Sequence, residues 1–300
     1  MLKILVLGSI NIDHSYEVNR IVRPGETIAS TAYRTAWGGK GLNQAIALAK
    51  AGAKTGLAAQ LSSVDKPMLD EFCAPFGLDT SKVRGMDIPT GHAIIQVESS
   101  GQNSIIIAAG ANGMMGDETI SAIDEYLPGD ILLLQNEINR MPEIIRRGKE
   151  KGMTIVLNPS PCSGEMMDWP LELVDIFILN ETEGQFISGS SQVEDMLRIM
   201  GDRFQNAGIV LTLGADGSVY RKGSEEYRVP AMKVEAVDTT AAGDTYTGFF
   251  LAGISAGITV KAAMELATRA AAITVSRPGA AESIPTAREL DTSCLSQKNP

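Results

Sequence analysis

The sequence predicts an α/β protein, a three-layer, doubly wound, mainly parallel sheet with a small antiparallel β lid. Three observations carry this expectation. Short β-branched apolar runs recur along the chain, amphipathic stretches of helical period lie between them, and two segments break the alternation with one-sided strand patterns. The strand candidates, in order, are Lys3–Leu7, Lys54–Ala59, Asp130–Gln135, Thr154–Leu157, Asp175–Leu179 and Ile209–Leu213. Most are apolar at successive positions, as strands covered by helices on both faces must be. Among the helices, Gln44–Ala51 follows a glycine-rich turn, and Val193, Met196, Leu197, Met200 and Phe204 form a stripe that faces a core. The apolar segment Tyr246–Ile258 continues a helix that starts in Asp238–Asp244, and its mostly apolar part, Gly248–Ile258, at about half a bilayer's span, is too short to cross one.

The lid is expected from residues 14–37 and 91–108. His14–Trp37 has a Pro24-Gly25 turn and little helical period. Ala93, Ile95 and Val97 alternate with Ile94, Gln96 and Glu98, and a turn over Ser99–Gln102 leads into Ser104–Ala108. Such alternation marks antiparallel strands with one wet face. No repeat or linker interrupts the rest, so residues 1–300 read as one domain carrying this lid, with a frayed end from Ser293 on.

Composition narrows the function. There are 26 Lys and Arg against 36 Asp and Glu, a formal charge of −10. An acidic surface argues against nucleic-acid partners and polybasic membrane anchoring, both of which need positive fields. Four apolar residues between Lys3 and Gly8 are too few for a signal-peptide core. Cys73, Cys162 and Cys294 are scattered and odd in number, which suits reduced thiols and a cytoplasmic location. His14 and His92 are the only histidines, too few for a histidine-rich zinc site, and no G-x-S-x-G elbow accompanies them.

Three segments carry chemistry. In Asp238-Thr-Thr-Ala-Ala-Gly-Asp244, small residues at a helix start leave the amides of Ala242, Gly243 and Asp244 uncovered, an anion hole suited to a transferring phosphate. Asp244, in the same first turn, can take the proton of an attacking hydroxyl. Gly38-Gly-Lys-Gly-Leu-Asn43 is not a Walker A loop, because Gly41 stands where Ser or Thr is required. It exposes backbone for close approach, with Lys40 and Asn43 able to reach hydroxyls, although a plain glycine-rich loop has the same composition. Asn11 and Asp13, two apart after the first strand, point to one side and suit vicinal hydroxyls, unless they are only turn formers.

These segments, with Gly8–Asp13, Asn158-Pro-Ser-Pro161, Asn180-Glu-Thr-Glu183, Thr212–Gly217 and Gly279–Pro285, resemble the ribokinase (PfkB) family of carbohydrate kinases over nearly the whole chain. The resemblance implies ATP-dependent phosphorylation of the primary hydroxyl of a pentose, D-ribose to D-ribose 5-phosphate. It makes Asp244 the catalytic base, Ala241, Ala242 and Gly243 the anion hole, and Asn11, Asp13, Gly38, Gly39, Lys40, Asn43 and Glu137 the sugar site. Asn180, Thr212, Gly214, Gly217, Gly243 and Thr268 would line ATP, with Glu183 organising Mg²⁺ through water. Asp238, Thr240, Thr274, Arg277, Gly279 and Ser283 would hold an activating monovalent cation, K⁺, and hard oxygen ligands suit an alkali ion. Two departures stand out: Thr268 replaces the family's His or Asn against the base, and Gln60–Met68 lacks the usual Gly-Asp and later Gly. The open lid edges suggest a homodimer. A kinase for deoxyribose, fructose or a nucleoside remains an alternative, as does a non-catalytic sugar-binding regulator on the same scaffold.

Overall fold

Strands buried on both faces form the centre of the molecule because their side chains alternate between two apolar layers. The computed structural model describes residues 1–98 and 102–290. The first half contains β1 (Lys3–Leu7), β2 (Asn11–Val18), β3 (Ala32–Gly38), α1 (Lys40–Lys50), β4 (Lys54–Ser62), α2 (Lys66–Cys73), β5 (Asp79–Met86), β6 (Gly91–Glu98) and β7 (Asn103–Ala108). Then come α3 (Asp117–Ile120), β8 (Ile131–Gln135), α4 (Met141–Glu150), β9 (Thr154–Asn158), β10 (Ile176–Asn180), α5 (Glu181–Ser188) and α6 (Val193–Arg203). The last elements are β11 (Gly208–Thr212), β12 (Ser218–Lys222), β13 (Glu225–Val229), α7 (Ala242–Ser255) and α8 (Val260–Val275).

The main sheet has nine strands in the order β13-β12-β11-β10-β9-β8-β1-β4-β5. It is parallel from β11 to β5 and ends in the antiparallel pair β12–β13. Ile4 and Val6 of β1 enter the layer that contains α1, α7 and α8, while Leu5 and Leu7 enter the one that contains α4 and α6. Each fully buried aliphatic side chain of this kind contributes about 1.5–3 kcal/mol relative to exposure. All six strands expected from sequence are present, within one to three residues at their ends, and the 193–204 stripe is α6 with Met196, Leu197, Met200 and Phe204 buried. The strands not foreseen are β5, β12 and β13; in β5 only Val83 is buried, and β13 is mostly charged, as befits the edges of a sheet.

The lid is a second sheet, ordered β3-β2-β6-β7. Its two hairpins, β2–β3 and β6–β7, are antiparallel, as expected, but they join along a parallel seam from Asn11↔Gly91 to Val18↔Glu98. Topology explains that seam. β1 and β5 are parallel strands of the main sheet, and β2 and β6 follow their C-terminal ends, so both hairpins leave the core in the same direction. The lid also begins at Asn11 rather than at residue 14. The turn at 99–101 and the end from Ser293, with Cys294, lie outside the described residues.

From β1 the sheet grows through β4 and β5 on one side and through β8 to β11 on the other. The reversal opens a crevice beyond the carboxyl ends of β1 and β8, the place where such sheets take ligands.

Candidate active site

At the reversal point, three segments are tied together by the first turn of α1. The Lys40 amide donates to Glu137 Oε2 at 3.0 Å, the Gly41 amide to Ser9 Oγ at 3.3 Å, and the Leu42 amide to the Ser9 carbonyl at 3.0 Å. The Ser9 hydroxyl donates to the same Glu137 carboxylate. Glu137, two residues beyond β8, is thereby fixed by a helix N-terminus whose amides favour an anion. Asn11 and Asp13 share one face of β2, the lid strand, and not the end of β1 where they were expected; the chain turns at Gly8–Ile10 before pairing again. The two-residue spacing still puts both side chains on one side.

Asn11 Oδ1 accepts from Asn112 Nδ2 at 2.8 Å, and Asn112 is itself locked to both the amide and the carbonyl of Ile10. Asp13 Oδ2 lies 2.1 Å from where a Cβ on Gly38 would stand, so only glycine admits the carboxylate there. Burial, reinforced by the Glu137 charge, pushes the Asp13 pKa up to about 6. His14 faces the other side of β2, where it bonds Tyr33 Oη at 2.8 Å and meets His92 edge to face; neither histidine belongs to the site.

Asp244 stands in the first turn of α7, buried. Its Oδ1 accepts from Gln44 Nε2 at 2.9 Å and its Oδ2 from Asn43 Nδ2 at 3.3 Å. The helix starts from Ala241 in the left-handed region, at φ 58°. The Ala242 amide bonds back to Thr239 O at 3.3 Å, and the first helical bond runs from the Thr245 amide to Ala241 O. The open donors are therefore the Gly243 and Asp244 amides, which have no protein partner among the described residues.

They face a cavity of about 230 Å³, walled also by Lys40, Asn158, Asn180, Glu183 and Thr212. Burial alone would lower the Lys40 pKa, but Asp244, Glu137 and Glu183 together outweigh it and raise it, so the ammonium stays charged. Lys40 and the helix start thus place positive potential inside a chain of net charge −10.

A second cavity of about 590 Å³ shares Thr212, Ala242 and Gly243 with the first and runs on past Gly214, Gly217, Met232, Val234 and Thr268. Gly217 has φ 100°, and a Cβ there would stand 2.1 Å from Val229 O, so the wall at that point requires glycine. The Thr268 hydroxyl is buried in this cavity without a hydrogen-bond partner among the described residues. Asn180 caps α5 through a reciprocal box: the Glu183 amide donates to Asn180 Oδ1 at 3.0 Å, and the Asn180 amide to Glu183 Oε2 at 3.0 Å.

Beside the open amides, Asp238 Oδ1 accepts from the Thr240 amide and hydroxyl, and Oδ2 from the Gly279 amide at 3.0 Å. Partial burial pulls the Asp238 pKa up, but the Thr240 and Gly279 bonds and the charge of Arg34 prevail and hold it below the usual carboxylate range. Arg34, on lid strand β3, was not anticipated near this loop. The Thr274 hydroxyl donates to Thr245 and the Ser283 hydroxyl to Ala280 O, and Arg277 turns away to pair with Glu289 at 2.8 Å. Only the backbone of Arg277 remains to serve the loop.

Sequence reasoning also missed Ser9, Gln44, Asn112 and Gln135, and assigned no role to Asn158. For Gln44 there was a signal, since Asn43 and Gln44 are two adjacent amides at the head of an otherwise apolar helix.

A buried carboxylate beside an open helix N-terminus, both lining one polar cavity, serves phosphoryl transfer to an alcohol. Known proteins fall in line with that class. A family model described as pfkB family carbohydrate kinase matches residues 1–287, and the chain belongs to that family of phosphotransferases. It is 37% identical over 295 residues to the ribokinase of Haemophilus influenzae, covering 95% of each chain. It is 31% identical over 301 residues to the deoxyribokinase of Salmonella typhi, covering 96% of this chain and 97% of that one. The structure of Arabidopsis thaliana ribokinase complexed with ribose and ATP superposes with a TM-score of 0.85 at 28% identity, covering 97% of this chain and 98% of that one.

Proposed function

We propose that this chain transfers the γ-phosphoryl group of ATP to the primary hydroxyl of D-ribose, giving D-ribose 5-phosphate and ADP. The observation that carries this reading is the position of Asp244, in the same helix turn as the open Gly243 and Asp244 amides and bonded to Asn43 in the first turn of α1. Asn11, Asp13, Asn43 and Glu137 hold the sugar hydroxyls, and the Asn43 Oδ1 atom, buried and without a partner among the described residues, can accept one. The hydroxyl attacks the γ-phosphorus in line. Asp244 takes its proton, while the open amides and Lys40 stabilise the charge of the transferring group. The adenosine part fits the larger cavity, against Thr268. The lid, part of the same kinase domain, covers the site and excludes water.

Glu183, which lines the smaller cavity, would organise Mg²⁺ on the phosphate side. Both its oxygens already accept from Asn180, which favours contact through water; the ion would neutralise phosphate charge. The ionised Asp238 carboxylate and the neighbouring carbonyls of a loop closed by the Gly279 bond form an all-oxygen set that fits K⁺. The outer lid strands β3 and β7 have open edges, and Ile105, Ile106 and Ile107 are each at least half exposed. A second copy of the lid would cover them, and sedimentation at micromolar concentration should give a dimer; a monomer removes that part of the reading. No helix among the described residues is long and apolar enough to cross a membrane. The free thiols of Cys73 and Cys162 and the use of ATP support a cytoplasmic enzyme.

A single assay panel tests the substrate. ADP release should be fastest with ribose, ahead of 2-deoxyribose, fructose and adenosine, because Asp13 grips a hydroxyl that 2-deoxyribose lacks. Equal kcat/KM for ribose and 2-deoxyribose would favour the deoxyribokinase reading instead. Replacing K⁺ by Na⁺ should slow turnover, and indifference would remove the cation site. Asp13 accepts sugar hydrogen bonds with both oxygens only when ionised, and its pKa of about 6 sits above the ordinary value. The KM for ribose should therefore rise as pH falls through about 6, while the KM for ATP stays level; a flat ribose KM down to pH 5 would remove Asp13 from the sugar site.

A further inference from the structure

We propose that Gln44 is a positioning residue for phosphoryl transfer: it pins one oxygen of the Asp244 carboxylate so that the other faces the acceptor hydroxyl. The inference rests on the function proposed above.

Gln44 is fully buried on α1 and touches neither cavity, so substrate binding does not explain it. Its hydrogen-bonding groups are all committed. Oε1 accepts from Gln135 Nε2 at 2.7 Å, and Nε2 donates to Asp244 Oδ1 at 2.9 Å and to Asn158 Oδ1 at 3.0 Å. Gln135 is also fully buried, and Asn158 is anchored by its own bond to Ile178 O at 2.8 Å.

Two acceptors decide which way the Gln44 amide points: the Asp244 carboxylate and Asn158 Oδ1, itself fixed because the Asn158 amide group donates to Ile178 O. The NH₂ group must face them, since a flipped amide would leave carbonyl against carboxylate, and Oε1 is then left to Gln135. The terminal torsion of an aspartate is otherwise broad, so an oxygen held at 2.9 Å restricts its rotation. Oδ2 keeps only the longer 3.3 Å contact from Asn43, which leaves it the oxygen available for a proton. Lys40 of α1 is a charged neighbour of Asp244, and its charge is shared with Glu137 and Glu183; Gln44, Asn43 and Asn158 are neutral. A neutral donor holds the carboxylate in place without neutralising its charge, as a salt bridge would.

The test uses the full chain with ribose and Mg·ATP, reading kcat, both KM values, the pH profile of kcat and thermal unfolding. Gln44→Met should lower kcat by about 10–100-fold with both KM values within about twofold, the mark of a misplaced base. Gln44→Glu sets a second carboxyl against Asp244, and the acid limb of the kcat profile should move up by about one pH unit or more. Gln135→Met, one bond further away, should give a smaller kcat loss that does not add to that of Gln44→Met. Should Gln44→Met fail to fold, Gln44→Glu and Gln135→Met decide by the same criteria. A kcat within twofold of the parent with an unmoved acid limb, or a loss carried wholly by KM, overturns the proposal. Failure of the parent enzyme to phosphorylate ribose would instead overturn the function on which it rests.

Discussion

Asp244→Asn should lower kcat for ribose phosphorylation by about 10²–10⁴-fold, the usual worth of a positioned general base, while ribose still binds in calorimetry. Asparagine matches the carboxylate in size, and one of its atoms can still accept from Gln44 or Asn43. What it cannot do is accept a proton from the attacking hydroxyl. Of the proposed sugar-side partners, Asn11 is anchored by Asn112 and Glu137 by Ser9 and the Lys40 amide, none of which bonds Asp244. The loss should therefore fall on kcat. Turnover within tenfold of the parent would take the base role away from Asp244, and lost sugar affinity with kcat intact would make it a binding residue.

Gly41→Ala should be nearly as damaging, and by a route that involves no reacting group. A Cβ at Gly41 would stand 2.4 Å from Ser9 N and 2.7 Å from Gly8 C, both backbone atoms that cannot swing aside. The start of α1 would have to move outward, stretching the Gly41–Ser9 and Leu42–Ser9 bonds and carrying Lys40, Asn43 and Gln44 with it. Overpacking of this kind costs about 1–3 kcal/mol, and a shift of about 1 Å at a catalytic constellation costs about 10²-fold in rate. The expected result is a thermal midpoint lower by several degrees and kcat/KM reduced by about 10²-fold. Gly201→Ala, on α6 where a Cβ meets nothing within 4 Å, is the matched control and should leave the kinetics alone. Parent-like kinetics in Gly41→Ala would contradict the tight seating of α1 on Ser9.

What could be read in advance followed the range of the forces involved. The central strands carry apolar side chains on both faces, a pattern confined to five residues each, and so β1 and β8 to β11 were legible. Edge strands β5 and β13 keep a polar face and carry little such pattern. The lid hairpins show alternation locally, but their parallel seam depends on where each leaves the core, which is a property of the whole topology. The site divides in the same way. Asn11 and Asp13 declare themselves by spacing, and the Asp238–Asp244 segment by its small residues before an acid. The Gln135–Gln44–Asp244 chain joins residues 91 and 200 positions apart, with no local trace of which amide meets which partner. Arg277 is a related case: its place in the sequence says nothing about its long side chain, which swings to Glu289 and leaves only the backbone to the cation loop.

The central claim is phosphoryl transfer from ATP to the primary hydroxyl of ribose. Phosphorus-31 NMR of the enzyme with ribose, Mg·ATP and K⁺ tests it most directly. The account predicts one phosphomonoester coupled to the C5 protons of the sugar, formed in equal amount with ADP, and both signals growing at least about 10²-fold more slowly when Asp244→Asn replaces the parent. ADP with inorganic phosphate only, a phosphoester at another carbon, or ribose bound with no ADP formed would contradict it, the last pointing to a sugar-binding regulator.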